Sequence, residues 1–177
     1  MKKYLLHSIA ILVFASLLFT SCKKNDVVIY EKESKGHLKQ TKTYPSDFLI
    51  AWLNFNLRVL RNNVPAINNF IANQHQAYGS IALYESVVNG MPAYQSLSGQ
   101  LDAMPPLPKT QPGLAYHWPT CANTVLAKVT RLYYTTISAD LAVSRESLEN
   151  AFNSRFQTEV DATTFQRSVD YGNTIAQ

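Results

Sequence analysis

The sequence predicts an all-α fold: the N-terminal part of a helical bundle, with about five helices and one long proline-rich loop. From Ser46 onward, apolar residues recur at the three- and four-residue spacing of a helix face. Nowhere do they alternate with polar residues in the period of two that marks a strand, and no repeat of fixed length is present. The prolines gather in one stretch, with Pro92, Pro105, Pro106, Pro108 and Pro112 all inside residues 90–117. That clustering leaves the periodic segments on either side free to be helical.

Residues 1–21 are set apart from the fold. Lys2 and Lys3 precede an apolar run from Leu5 to Phe19, then Thr20, Ser21 and Cys22. A basic start, an apolar run and small residues before the cut make a secretory signal. The run is about 15 residues, short of the roughly 20 that span a bilayer. The cysteine placed just after it resembles the lipobox of bacterial lipoproteins, where this thiol is acylated and becomes the new N-terminus. Lipidation is therefore expected at Cys22, with the protein anchored in the bacterial cell envelope, facing the periplasm or on the outer membrane. Residues 22–44 are polar and rich in lysine (Lys23, Lys24, Lys32, Lys35, Lys39, Lys42), and they read as a flexible tether. Such a stretch beside a lipid also suits an anionic membrane surface.

The helical domain is expected over 45–177. Ser46 suits an N-cap with Asp47 in the first turn, and Phe48, Leu49, Trp52, Leu53, Phe55, Val59 and Leu60 give a first helix over 47–61, apolar around much of its circumference and so well buried. Asn62-Asn63-Val64-Pro65 breaks it. A long helix over 66–88 starts at Pro65 and ends at Asn89-Gly90, where Gly90 fits a left-handed C′ residue. Residues 90–117 form an irregular excursion, and Leu101, Met104, Leu107 and Leu114 are expected to pack it along the helices. A third helix over 118–136 carries Val125, Leu126, Val129, Leu132 and Tyr133, and a fourth over 139–155 follows Ser138 with Leu141, Leu148, Ala151 and Phe152 inward. A fifth begins near Asp161. Its stripe of Phe165, Val169 and Ile175 runs to Gln177 without a capping residue, which reads as a truncated chain with this stripe left uncovered.

Composition excludes some functions. The formal charge of +4 over 177 residues includes Lys2 and Lys3 of the signal, too small an excess for a nucleic-acid partner. With Cys22 assigned to lipid, Cys121 has no intrachain partner; it reads as a buried thiol rather than a reactive one. His37, His75 and His117 stand apart in sequence, no nearby residue completes a metal-ligand spacing, and no nucleophile elbow or phosphate loop occurs. His75 lacks an evident orienting carboxylate, and Arg61 and Glu85 read as surface charges rather than a buried pair. Tyr78 and Tyr84 sit at helical spacing, which suits core packing with bonded hydroxyls.

Two segments nevertheless carry a likeness. One holds Trp52, Asn56, Arg61-Asn62-Asn63-Val64-Pro65, then Ala77-Tyr78-Gly79-Ser80-Ile81-Ala82-Leu83-Tyr84-Glu85-Ser86-Val87 and Tyr94. The other holds Ala122-Asn123-Thr124-Val125-Leu126 and, later, Tyr171-Gly172-Asn173-Thr174-Ile175-Ala176. In order and spacing they resemble the N-terminal helical region of secreted vanadium-dependent haloperoxidase-like proteins, of the superfamily of type 2 phosphatidic acid phosphatases. The resemblance implies a whole protein in which Lys, Arg and His donors hold phosphate or vanadate and a histidine attacks phosphate or holds the vanadate that activates peroxide. That chemistry belongs to Lys-x6-Arg-Pro, Pro-Ser-Gly-His and Ser-Arg-x3-Gly-x-His segments, and this chain has none of them: Arg-Pro is absent, and Ser144-Arg145 and Ser154-Arg155 lack the Gly and His that should follow. No catalytic, cofactor or metal residue is carried over. The chain alone is expected to be inactive, and its partners to be the membrane and a missing C-terminal helical region of the same protein. The alternative is a non-enzymatic envelope lipoprotein that binds a partner or glycan.

Overall fold

A computed structural model describes residues 39–62 and 68–177. The signal-like segment 1–21, Cys22, His37, the tether up to residue 38 and the break at 63–67 with Pro65 lie outside the described residues. Those described form five α-helices and no strand: α1 (Asp47–Asn62), α2 (Asn69–Val87), α3 (Trp118–Tyr133), α4 (Ala139–Gln157) and α5 (Ala162–Ile175). None is long and apolar enough to cross a membrane.

The helix starts follow from short polar side chains. Ser138 accepts from the Leu141 N–H at 3.3 Å, and Asp161 accepts from the Thr164 N–H at 2.9 Å. Each satisfies an amide that the helix itself cannot. The long helix was expected from Pro65; α2 starts later because Asn68 is extended and its side chain accepts from the Ile71 N–H at 2.9 Å. α3 ends at Tyr133, short of 136, since Tyr134 leaves helical geometry to bury its ring in the core.

α3 is the hub. Its first turns, from Trp118 to Ala127, are buried on every side, and α5 and α2 cover it most extensively. One apolar cluster joins Phe48, Trp52, Phe55 and Val59 of α1 to Ala122, Leu126 and Phe156. The other joins Tyr116, Trp118, Cys121 and Val125 to Tyr171 and Ile175 of α5. Each such large side chain contributes about 1.5–3 kcal/mol by leaving water.

Two glycines permit close approach rather than an unusual turn. A Cβ on Gly172 would sit 2.6 Å from the Cys121 carbonyl oxygen and 2.9 Å from Thr124 Cβ, so the bare backbone lets α5 press on α3. Gly90, expected as a left-handed cap, instead closes a 3-10 turn over Val88–Gly90. A Cβ there would fall 2.3 Å from the Trp118 indole.

Burial differs from expectation in several places. The α5 stripe is not left in water: Phe165 and Ile175 are buried and Val169 packs on the core. α1 is buried on one stripe only, while Ile50, Leu53 and Leu57 face outward at 57, 50 and 49% exposure. Ala151 on α4 faces solvent, as does Leu132 on α3, which was expected in its apolar stripe; in the excursion Leu107 packs inward whereas Leu101 and Leu114 stay exposed.

Candidate functional site

The richest local architecture lies where the chain enters the domain. Residues 39–44, read from sequence as the end of the tether, are docked onto α2 and α3. Thr41–Thr43 form a 3-10 turn, Thr41 Oγ1 donates to the Val87 carbonyl at 3.0 Å, and Trp118 Nε1 donates to the Lys39 carbonyl at 2.9 Å. Tyr44 then lays its ring edge-on to His117, with centroids 5.0 Å apart, and Lys39 Nζ stands 4.1 Å from the Tyr44 ring centroid. Burial, then the charge of Glu159, pushes the Tyr44 phenol up to about 12.

This docking walls one side of a half-open cavity of about 330 Å³ between the entering segment, α1, α2 and the start of α3. Phe48, Leu49, Leu83, Val87, Pro119 and Ala122 supply apolar walls. Of the hydroxyls around it, Thr41 is committed to Val87 and Tyr84 donates to the Gln95 carbonyl at 2.8 Å. Sequence reading missed this site because its walls come from four separate segments; the one local signal was Trp118-Pro119 opening a helix directly after the excursion.

Behind Tyr44 lies a polar node. His117 is 1% exposed; its Nδ1 shares a hydrogen bond with Thr120 Oγ1 at 2.8 Å, and its Nε2 lies 3.2 Å from Glu159 Oε2. Its backbone N–H donates to Ser168 Oγ at 2.8 Å. Burial holds the imidazole below its ordinary range, and Glu159 opposes that shift without reversing it. No sequence motif couples His117 to a residue 42 positions away. Both ring nitrogens are engaged, and the node ties the start of α3 to the α4–α5 turn.

Glu85 is the other buried polar centre. It does not pair with Arg61, which is exposed. Its carboxylate accepts from Ser96 Oγ at 2.7 Å and from the Leu97 N–H at 2.6 Å, pinning the excursion onto α2. Tyr171 hydroxyl, which accepts from Asn89 Nδ2 at 2.8 Å, reaches the Glu85 carbonyl, tying α5 to the same point. The likeness segments also meet in the core: Trp52 Nε1 donates to Asn123 Oδ1 at 2.7 Å, and Asn123 Nδ2 donates to Asn153 Oδ1 at 2.9 Å.

The remaining candidates are placed as follows. His75 stacks on Tyr133 at 4.5 Å, and partial burial lowers its pKa; its Nδ1 and Asn56 Oδ1 lack protein partners. Both side chains line a small cavity of about 60 Å³, roomy and polar enough for solvent to satisfy them. Tyr78 is half exposed rather than core. Cys121 is fully buried, and burial pushes its thiol up to about 12, which suppresses the thiolate. Among the described residues no group of three or more His, Cys, Asp and Glu side chains could hold a metal ion. Four of the cations are engaged elsewhere and form no oxyanion cradle. Arg131 binds Glu146 and Glu149, Arg155 binds Asp47, and Lys128 and Arg167 donate to backbone carbonyls. No reaction step through vanadate or phosphate follows from this donor set.

Compared with family models, with curated proteins and with solved structures, the chain finds no match.

Proposed function

We propose that this chain is the N-terminal helical layer of a bacterial envelope lipoprotein of the vanadium-dependent haloperoxidase and acid-phosphatase kind, a layer that supports an oxyanion site built by other residues of the same protein. The observation that carries the reading is one-sided burial. α1 and α2 pack tightly on α3, yet Ile50, Leu53 and Leu57 on α1 and Phe70 and Ile71 on α2 face outward, with Phe70 78% exposed. Exposed large apolar side chains in spaced rows mark a surface that other structure covers. Apart from His75 and Asn56, the polar side chains described above, Trp52, Glu85, His117, Asn123 and Tyr171, are spent on joining helices, which suits a supporting layer rather than a catalytic one. The likeness residues Trp52, Asn123, Glu85 and Tyr171 all fall in these joints.

In this reading Cys22 carries the lipid, and Cys22→Ser abolishes acyl labelling; unchanged labelling removes the anchor from the account. The activity test uses the native protein drawn from its envelope and sequenced throughout. The reading expects Arg-Pro and Pro-Ser-Gly-His segments in it, with phosphate-ester hydrolysis or vanadate-dependent bromination. A native protein with neither motif nor activity favours the non-enzymatic alternative, for which the apolar cavity is the favouring observation.

A further inference from the structure

We propose that the cavity at the domain entry is a binding site for a single-chain fatty acid, with the alkyl tail inside and the carboxylate at Lys39. The proposal stands apart from the oxyanion reading, since none of the lining residues is assigned to that chemistry. The first argument is what the walls offer. Phe48, Leu49, Leu83, Val87, Pro119 and Ala122 present hydrocarbon, and the Thr41 and Tyr84 hydroxyls are already committed to the backbone. The other hydroxyls in the lining, of Tyr44, Ser46 and Ser80, are few against the hydrocarbon, and Ser46 and Ser80 are exposed, so a polar group seated among the apolar side chains would lose its water without a partner and the part of a ligand buried there is best hydrocarbon. The second argument is size. A volume of about 330 Å³ lies at the lower end of ligand pockets, which run from roughly 300 to 1,000 Å³. It suits one chain, not the paired tails of a phospholipid.

The third argument is charge at the edge. Lys39 is exposed, and its ammonium lies 4.1 Å from the ring centroid of Tyr44, itself a wall of the cavity. The neighbouring acids are taken: Asp47 by Arg155, and Glu159 by His117 and Arg155. Among the described residues Lys39 makes no ion pair, and its ammonium beside Tyr44 can meet a carboxylate whose tail passes that ring.

The test is displacement of a fluorescent fatty acid from the full chain by dodecanoate and by dodecanol. Saturable displacement by dodecanoate is expected. Ser80 lines the cavity yet is exposed, so Ser80→Trp plugs the opening without disturbing the core, and it should abolish saturable binding. Lys39→Glu should weaken dodecanoate about three- to fivefold, the size of a solvent-screened ion pair, and leave dodecanol unchanged. A photoactivatable fatty acid should label Leu49, Leu83 and Val87. Three results overturn the proposal: no saturable displacement, displacement indifferent to Ser80→Trp in a chain with an unchanged melt, or labelling confined to Ile50, Leu53 and Phe70. Equal weakening of dodecanoate and dodecanol by Lys39→Glu overturns the head-group assignment.

Discussion

Replacing Asn123 by Leu tests the joint that holds three helices together. Asn123 is fully buried on α3. Its Oδ1 takes the Trp52 indole N–H from α1 at 2.7 Å, and its Nδ2 donates toward α4 at Asn153 Oδ1, 2.9 Å, and the Glu149 carbonyl, 3.3 Å. Leu keeps the volume and removes every one of these bonds. The heaviest consequence is the Trp52 N–H, on a side chain only 1% exposed, which neither protein nor water can then satisfy. A stranded buried donor costs about 1–3 kcal/mol, and the bonds lost toward α4 add about 1 kcal/mol. The expected total is about 3 kcal/mol, or roughly 10 °C in Tm for a domain of this size. The assay is urea unfolding of the full chain by circular dichroism, run as a cycle with Trp52→Phe. Because Trp52→Phe removes the stranded donor, the double variant should be more stable than the sum of single losses implies, by about 1 kcal/mol or more. A loss below about 1 kcal/mol for Asn123→Leu, or strict additivity in the cycle, refutes the reasoning.

Gly172→Ala places a Cβ 2.6 Å from the Cys121 carbonyl, so α5 must move off α3; a loss of about 1–3 kcal/mol is expected from the denaturation midpoint, and an unchanged midpoint contradicts the close approach. His117 has a folded pKa below its unfolded value of about 6.5, so the unfolded chain binds more protons in that window. Stability should be full above about pH 6.5 and fall as pH drops below it; His117→Gln should shrink that slope, leaving the part due to His75, whose pKa is lowered in the same sense. Glu85→Ala strands the Leu97 N–H and Ser96 hydroxyl, so limited proteolysis within 91–117 should accelerate several-fold; equal cleavage rates would show that the excursion is held by other contacts.

The helices were legible because their signals are local. Ser138 and Asp161 cap the helices they precede, and the period of apolar residues recurs within each segment. What was missed depends on partners distant in the chain. Leu53, read from sequence as part of a well-buried helix, instead faces outward with Ile50 and Leu57, since periodicity reports an apolar face but not whether a neighbour covers it. Gly90 carries a C-cap signature, yet the indole of Trp118, 28 positions on, decides its role. His117 and Glu159 meet across 42 residues, and Trp52 and Asn123 across 71. The cavity is formed only when residues 39–44 dock, although by composition they look like a solvated linker. Gly172 is the instructive middle case: it stands in a segment that carries the family likeness, and the contact with Cys121 and Thr124 supplies a physical reason for a glycine there.

The measurement that bears most directly on the supporting-layer reading is carbene footprinting of this chain alone and of the native protein isolated from its source cells. The account predicts that Ile50, Leu53, Leu57 and Phe70 label strongly in the isolated chain and are protected in the native protein, while Val59 and Val125, already buried, stay unlabelled in both. Equal labelling of the α1 and α2 faces in the two samples would mean that nothing in the native protein covers them, and the reading of this chain as one layer of a larger helical enzyme would be contradicted.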